Sequence, residues 1–317
     1  MPRFEQEVVS SKAKRAAATY PARLLEKMLE EQSLETPATK HHLIVGDSRQ
    51  MLEVPDNSVQ LVVTSPPYPM IELWDDLFQQ QGCRSFSEMH NFLAEVWREC
   101  YRVLVDGGIA CINIGDALRK YDGGLRLFPN HVRVTEHCET IGFISLPFLL
   151  WKKPTTRPNA FLGSGFLPPN AYVTQDCEFI LLFRKGSPRS FPPKDFMRYA
   201  SHYTKAERDA WFTQIWRVPG ARQENGDLDR RVAAYPEEIA RRLIRMFSIY
   251  GDTVLDPFLG TGTTMKVANE FHRNSIGYEI DDRLLPTIKE RLSIPIAPRE
   301  NTDQAVTLKI TRRDKLL

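Results

Sequence analysis

The sequence VLDPFLGTGTTMKVA, residues 254–268, combines three patterns that follow one another directly. A short apolar strand ends in Asp256, a turn carries Gly260 and Gly262, and a helical pattern begins near Thr263. Glycines at such a junction let the backbone approach a ligand closely, and the first helical turn offers unpaired N–H groups. The stretch therefore predicts a strand–turn–helix unit with a ligand site at the end of the strand.

An acidic residue follows this turn at the sequence distance typical of a ribose-binding carboxylate. Glu279, in GYEID (277–281), lies about twenty residues past the glycines, where a carboxylate can accept hydrogen bonds from ribose hydroxyls. The turn departs from the dinucleotide pattern G-x-G-x-x-G and lacks the lysine of a phosphate-binding loop. The spacing indicates an adenosine compound without a polyphosphate, whereas a glycine turn that serves packing alone is the alternative.

Apolar runs and helical periodicity alternate along most of the chain. Strands are predicted at 41–46, 59–64, 108–114, 143–150, 177–183, 253–256 and 275–280, and helices at 22–30, 85–104, 128–141, 236–248, 263–271 and 282–292. Strands separated by helices predict an α/β fold, with a mostly parallel sheet covered by helices on both faces.

Composition excludes several classes of protein. The 317 residues carry 42 Lys+Arg against 40 Asp+Glu, so a nucleic-acid footprint has to be local. Five cysteines form no C-x-x-C pair, which argues against a zinc knuckle or a disulfide framework. No apolar run approaches membrane-spanning length, and the basic start lacks the apolar core of a signal peptide. We expect a cytoplasmic protein without a membrane partner.

A second strand end carries chemistry of its own. LVVTSPPYPM, residues 61–70, places a hydroxyl before two prolines and an aromatic ring after them. Consecutive prolines can simply end a strand, because they fix φ and remove backbone donors. That interpretation does not explain Ser65 and Tyr68, which flank the prolines at the edge where α/β enzymes place their active sites.

Together these stretches resemble the S-adenosylmethionine-dependent amino-methyltransferases of DNA. The catalytic motif of that family is [DNS]-P-P-[YFW] and its cofactor loop is D-P-F-x-G-x-G-T, and both are complete here. The resemblance implies a Rossmann-like class I methyltransferase fold, circularly permuted in the order of the β class. It implies catalytic roles for Ser65, Pro66, Pro67 and Tyr68. It implies contacts to S-adenosyl-L-methionine by Asp256, Pro257, Phe258, Gly260, Gly262, Thr263 and Glu279.

Two further segments resemble cofactor-binding parts of the family. IVGDS (44–48) resembles the segment whose acid meets the adenine amino group, which assigns that role to Asp47; an N-cap for a following helix is the alternative. RVAAYPEEI (231–239) matches the helix that closes over the methionine end of the cofactor. It keeps Tyr235 and Pro236 but has Arg231 and Val232 in place of His-Pro, so its contact to the cofactor carboxylate is not assigned.

The tetrapeptide suits transfer to an exocyclic amino group. That nitrogen is a poor nucleophile, and acceptors such as the Ser65 hydroxyl and the Pro66 carbonyl favour its nucleophilic form. Tyr68 offers a face for a base flipped out of the duplex. No cysteine follows a proline, which argues against methylation at carbon 5 of cytosine, and neither a metal nor a strong acid is implied. A first-position serine is typical of the N4-cytosine enzymes. N6-adenine, RNA amino-methylation and a non-catalytic regulator remain alternatives.

The region 152–231 differs from its surroundings. It is rich in proline and carries 14 Lys+Arg against 8 Asp+Glu. We predict that it recognises double-stranded DNA, whereas a strand end and an ordinary connector are the alternative. The candidate DNA contacts are Lys152, Lys153, Arg157, Arg217, Arg222 and Gln223.

The remaining chain divides around this target-recognition region. The predicted parts are an N-terminal helical extension at 1–40, a catalytic half at 41–151, a cofactor-binding half at 232–293 and a C-terminal tail at 294–317. A DNA modification enzyme of this kind is expected to have a cognate restriction endonuclease as a partner, in a prokaryotic cell.

Overall fold

The computed structural model describes residues 38–121, 123–153, 168–169, 173–193, 195–220, 235–293 and 306–313. The predicted helix at 22–30 and most of the N-terminal extension lie outside these residues, as do the candidate DNA contacts Arg157, Arg222 and Gln223.

The described chain forms one large sheet and one hairpin. The strands are β1 (Lys40–Val45), β2 (Val59–Thr64), β3 (Leu104–Ile114), β4 (Ala117–Tyr121), β5 (Gly124–Phe128), β6 (Ile144–Lys152), β7 (Cys177–Arg184), β8 (Ile215–Trp216), β9 (Thr253–Asp256), β10 (Asn274–Glu279) and β11 (Thr307–Arg312). The helices are α1 (Asp75–Gln80), α2 (Phe86–Val103), α3 (Asn130–Ile141), α4 (Phe196–Ala200), α5 (Lys205–Trp211), α6 (Glu237–Phe247), α7 (Thr263–Glu270) and α8 (Leu285–Ser293), with 3-10 turns at Glu72–Trp74 and Asp282–Leu284.

The nine-stranded sheet has the order β11-β1-β10-β9-β2-β3-β7-β6-β8. Its strands are parallel from β11 to β3, and β7 runs antiparallel to both β3 and β6. This is the mostly parallel α/β sheet that the alternating pattern predicts. Because β7 is reversed, its first residues lie at the same edge of the sheet as the last residues of β3.

Helices bury apolar side chains on both faces of the sheet. On one face, α2 and α3 contribute Trp97, Cys100 and Cys138 to a core with the central strands. On the other face, α6 and α7 contribute Leu243 and Val267 to a second core. Burial of this kind stabilises a fold by about 25 cal/mol per Å² of apolar surface, so the sheet is the rigid element on which the strand-end loops are held.

Two predicted boundaries need correction. The segment 294–317, predicted to be a tail, contains β11, which pairs along its whole length with β1. The region 152–231, predicted to be a target-recognition region, contains β7, which lies within the central sheet between β3 and β6. The strand β7 was predicted at 177–183, but its place in the sheet depends on pairing with residues far away in the sequence, as does the whole of β11. Local composition does not report such pairing.

Among the described residues, no helix combines the length and apolar composition needed to cross a bilayer. All five cysteines are described and none of them forms a disulfide. In the same part of the chain, His, Cys, Asp and Glu side chains form no group of three that could hold a metal ion.

Candidate active site

The candidate site lies where β9, β2 and their neighbours end. Asp256 is the last residue of β9, is 1% exposed, and accepts hydrogen bonds from Thr64 Oγ1 at 2.7 Å, Thr264 Oγ1 at 2.6 Å and the Phe258 amide at 3.1 Å. Burial raises the pKa of this carboxyl from 3.8 to about 6. Thr64 directly precedes Ser65, so Asp256 joins the strand that carries the catalytic motif to the glycine turn.

The glycine turn has the conformation that its residues predict. Gly260 and Gly262 have φ values of 56° and 87°, in the left-handed region that other residues rarely adopt. Gly262 is the N-cap of α7 and has no side chain to satisfy the first amides of that helix. Those N–H groups therefore face the end of the sheet, where they suit a polar or anionic group of a ligand.

Glu279 is positioned by the same turn. Its carboxylate accepts hydrogen bonds from the Gly260 amide at 2.7 Å and the Asp281 amide at 2.8 Å. A carboxylate has about four lone-pair sites, so these bonds leave acceptor capacity for ribose hydroxyls. Burial raises the pKa of Glu279 from 4.5 to about 7, and the two backbone donors oppose that rise.

The other predicted cofactor residues take different positions. Pro257 is buried, and the Phe258 ring packs edge-on against Trp97 with 6.0 Å between ring centroids. The Thr263 hydroxyl accepts a hydrogen bond from Arg291 at 3.1 Å, so its side chain is held by α8. Pro257 and Phe258 therefore pack within the loop, where Phe258 stays half-buried, and Thr263 ties the loop to α8.

Asp47 lies at the neighbouring strand end. Val45 pairs with Glu279 in the sheet, so Asp47 follows two residues beyond the point where β1 and β10 meet. Its carboxylate accepts from the Arg49 amide and from Arg49 Nε, both at 2.8 Å, and thereby caps a turn; no helix begins there in the described chain. A cavity of about 130 Å³ beside it is lined by Asp47, Arg49, Gln50 and Glu95.

The C-terminal strand braces this end of the site. Arg313 donates from Nη1 to the Asp47 carbonyl at 2.9 Å and from Nε to Glu53 at 2.8 Å, and its guanidinium lies over the Tyr278 ring at 5.4 Å. A side chain at Gly46 would meet Arg313 Cδ at 2.9 Å, so the glycine makes room for this packing. Sequence analysis missed Arg313 because β11 was not predicted.

Arg313→Ala is expected to weaken cofactor binding severalfold and to lower the free energy of unfolding by about 1 to 3 kcal/mol, because it removes charged hydrogen bonds from the turn that holds Asp47. Arg312→Ala is the matched control, because its exposed side chain ends the same strand, and it should change stability by no more than about 0.5 kcal/mol. Calorimetric titration and urea unfolding test this; equal results for the two variants would contradict it.

The candidate catalytic motif, SPPY at residues 65–68, follows β2 directly. Ser65 Oγ lies 3.0 Å from the Tyr68 hydroxyl, and Pro66 and Pro67 are buried at the turn. The Tyr68 ring packs closely over Gly115, where an added Cβ would lie 3.0 Å from the ring. The four residues therefore form one turn that presents the Ser65 hydroxyl and a partly exposed Tyr68 ring, and the Tyr68 carbonyl accepts from the Ile71 amide at 3.2 Å.

Two residues missed by sequence analysis complete this turn. Asn113 Nδ2 donates to the Tyr68 hydroxyl at 2.7 Å and to Glu178 Oε2 at 2.8 Å, and Tyr68 donates to Glu178 Oε2 at 2.9 Å. Asn113 is a polar residue near the end of an apolar strand, and Glu178 is a charge at the start of another. Those two features are signals that could have pointed to them.

The described candidate DNA contacts lie close together. Trp151 Nε1 donates to the Val218 carbonyl at 2.8 Å, which joins the WKKP and WRVPG segments side by side. Lys152 forms a 3.3 Å ion pair with Asp176, and Arg217 is exposed. Lys153 instead pairs with Glu178, next to Tyr68, so it belongs to the catalytic end of the sheet.

Comparison with known proteins shows the family to which the chain belongs. A family model described as DNA methylase matches residues 59–290. The type II methyltransferase M.MjaI of Methanocaldococcus jannaschii is 59% identical over 279 residues, covering 81% of this chain and 92% of that protein. M.MthZI of Methanothermobacter thermautotrophicus, also a type II methyltransferase, is 46% identical over 80% of this chain and 77% of its own length.

Two solved structures share the fold. The putative DNA modification methylase TTHA0409 of Thermus thermophilus, in complex with S-adenosyl-L-methionine, is 33% identical with a TM-score of 0.66 over 85% of this chain and 99% of that one. The cytosine-N4-specific PvuII DNA methyltransferase has a TM-score of 0.60 at 18% identity, covering 83% of this chain and 90% of its own. The chain belongs to the S-adenosylmethionine-dependent DNA methylase family, which confirms the resemblance of its two strand-end motifs.

Glu279→Gln tests whether ionisation of this buried carboxyl lowers the stability of the protein. The pKa of Glu279 is about 7 in the folded protein against 4.5 ordinarily, so the folded state binds the proton more tightly. Stability from this group is therefore present at low pH and is lost as pH rises through that interval. The free energy of unfolding of Glu279→Gln, relative to that of the parent, should therefore increase as pH rises from 4.5 to about 7 and stay constant above this range. Thermal melts at several pH values measure the difference; a constant difference would contradict the assignment.

Proposed function

We propose that this protein transfers a methyl group from S-adenosyl-L-methionine to the N4 amino group of a flipped cytosine in double-stranded DNA. The observation that carries the proposal is the Ser65 hydroxyl, held at the end of β2 beside the Tyr68 ring. Serine in the first position of the motif is typical of the N4-cytosine enzymes. A planar base stacked on Tyr68 would present its amino group to acceptors on the same turn.

The residues fit the cofactor. Glu279 would accept from its ribose hydroxyls, Asp47 would accept from its adenine amino group, and the glycine turn leaves space for close approach. These roles are supported by the adjacent ends of β1, β9 and β10 and by the acceptor capacity of Glu279. When bound, S-adenosylmethionine supplies an electrophilic methyl group on a sulfonium that is already a good leaving group.

The protein's own contribution is alignment and polarisation. Ser65 Oγ and the Pro66 carbonyl would accept hydrogen bonds from the target amino group, which concentrates the nitrogen lone pair for attack on the methyl carbon. In the proposed transfer the carbon–sulfur bond would break as the nitrogen–carbon bond forms, so that S-adenosylhomocysteine would leave as a neutral thioether, and the methylated nitrogen would release one proton to water. Holding the partners in line supplies much of the rate enhancement, and no covalent enzyme intermediate is needed.

The biological role proposed is modification within a type II restriction system, in the cytoplasm of a prokaryotic cell. The support is the identity to two relatives that are type II methyltransferases. A cognate restriction endonuclease is then the expected partner. The exposed Arg217 and the paired segments around Trp151 and Val218 are proposed to approach the DNA backbone.

Product analysis tests the proposal. The protein is incubated with labelled S-adenosylmethionine and separate pools of double-stranded DNA and RNA, and the nucleosides are identified by mass spectrometry. N4-methyldeoxycytidine is expected from DNA alone. If N6-methyldeoxyadenosine is found instead, the target base is adenine. Label in the RNA pool would show that RNA is a substrate. Cofactor binding without any methyl transfer would indicate a regulator.

A further inference from the structure

A closed set of hydrogen bonds lies behind the catalytic turn. The antiparallel pairing of β3 with β7 sets Asn113 opposite Ile180 and brings Glu178 to the same edge of the sheet. One oxygen of Glu178 accepts from Tyr68 at 2.9 Å and from Asn113 at 2.8 Å. Its other oxygen forms an ion pair with Lys153, whose ammonium also lies 4.7 Å from the Trp151 ring centroid.

These contacts fix the direction of each proton. A carboxylate can only accept, so the single Tyr68 proton is donated to Glu178. Burial raises the pKa of Tyr68 well above its ordinary value, and the nearby Glu178 charge adds to that rise, so the phenol keeps this proton. The Tyr68 oxygen then has only lone pairs left, and it accepts from Asn113 Nδ2 at 2.7 Å and from Ser65 Oγ at 3.0 Å.

The orientation of the Asn113 amide agrees with this order. With Nδ2 toward Tyr68 and Glu178, both neighbours are acceptors for its protons, whereas the reversed amide would place Oδ1 against a carboxylate. Asn113 Oδ1 is left buried without a partner, and that cost is offset by the charge-assisted bond to Glu178.

We infer that Glu178 is a positioning residue that acts through Tyr68 to turn the Ser65 proton away from the target base. With its proton donated to Tyr68, Ser65 presents only lone pairs to the amino group that it is to polarise. The inference rests on the proposed role of Ser65 as an acceptor for the target amino group. It adds a residue from β7, outside the catalytic motif, as the origin of that acceptor state.

Glu178→Gln should remove the acceptor that fixes the Tyr68 proton. Lys153 attracts the amide oxygen of the new side chain, which leaves its NH₂ group facing the Tyr68 oxygen. Tyr68 then accepts from Gln, and its own proton goes to Ser65 or to the Oδ1 atom of Asn113, whose amide turns to accept from the new NH₂ group. Ser65 is then no longer held as an acceptor alone, and its proton can point toward the base, while the shape of the site is preserved.

Single-turnover methyl transfer with labelled cofactor and cognate duplex measures the effect. Glu178→Gln is expected to slow transfer by about ten- to a hundredfold, with cofactor and DNA dissociation constants within about twofold of the parent. Glu136→Gln, which alters an exposed ion pair on α3, is the matched control and should leave all three values unchanged. An unchanged transfer rate in folded Glu178→Gln would overturn the inference.

A double-mutant cycle separates positioning from a structural role. Tyr68→Phe keeps the ring and removes the hydroxyl through which Glu178 acts, so the double variant should be no slower than the slower single variant. Additive losses would overturn the inference. Ser65→Ala separates this inference from the proposed function: if Ser65→Ala is slow while Glu178→Gln is fast, the proposed function stands and the inference fails. If Ser65→Ala retains the parent rate, the acceptor role of Ser65 fails, and the inference fails with it.

Discussion

Ser65→Ala is expected to slow single-turnover methyl transfer by about a hundredfold or more while cofactor affinity stays near that of the parent. The hydroxyl is lost, and with it an acceptor that favours the nucleophilic form of the target nitrogen. Tyr68 loses the contact of its hydroxyl with Ser65 Oγ, 3.0 Å away, but that hydroxyl remains hydrogen-bonded to Glu178 and Asn113. The ring therefore keeps its position. The loss should therefore appear in the chemical step and not in base stacking.

Rapid-quench assays with saturating enzyme isolate that step, and calorimetry gives the cofactor dissociation constant. Ser187→Ala, at an exposed position in the loop after β7, is the control for replacing a serine hydroxyl. If Ser65→Ala transferred the methyl group at the rate of the control, SPPY would not be the catalytic turn. A comparable loss in cofactor affinity would instead place Ser65 in the cofactor site.

Sequence reasoning located the site because its elements are local. A buried strand that ends in Asp256, a glycine turn and a helix at Thr263 are specified by neighbouring residues, and the structure shows β9 and α7 at those positions. The same holds for β2, which ends at Thr64 directly before the motif. Apolar alternation and turn residues carry this information without any long-range contact.

The parts that sequence reasoning missed depend on pairing between distant residues. TLKITR (307–312) has β-branched residues and alternation, but its partner is β1, and charged residues around it are typical of a tail. Glu178 and Asn113 become neighbours only through the antiparallel register of β7 on β3. Lys153 was predicted to be a DNA contact from its place in a basic stretch, whereas its ion pair with Glu178 depends on the antiparallel register of β7 on β6.

The candidate roles of the cofactor residues depend on similar non-local geometry. Glu279 and Asp47 were linked to the ligand by motif alone, and the structure adds that their strands are adjacent and in register at Val45 and Glu279. Thr263 shows the limit of a motif, because the pattern does not predict that its hydroxyl accepts a hydrogen bond from Arg291 of α8. Their contacts to the cofactor remain predictions for mutagenesis.

Asp256→Ala is expected to lower the free energy of unfolding by about 2 to 4 kcal/mol and to abolish measurable cofactor binding. The buried carboxylate accepts from Thr64, Thr264 and the Phe258 amide, so its removal leaves three donors without their partner. The Thr264 hydroxyl is also bonded to Tyr235, at the start of α6, so the loss extends to the helix that packs beside the site.

Urea unfolding measures the stability of this variant, and Asp209→Ala, whose ion pair with Arg208 is exposed, is the control and should change stability by no more than about 0.5 kcal/mol. Thr64→Val in a double-mutant cycle with Asp256→Ala isolates the 2.7 Å bond between the two strand ends. We expect a coupling energy of about 0.5 to 3 kcal/mol, because each residue loses its partner in the other's absence. Zero coupling, or a variant as stable as the control, would show that the catalytic and cofactor turns are not joined through Asp256.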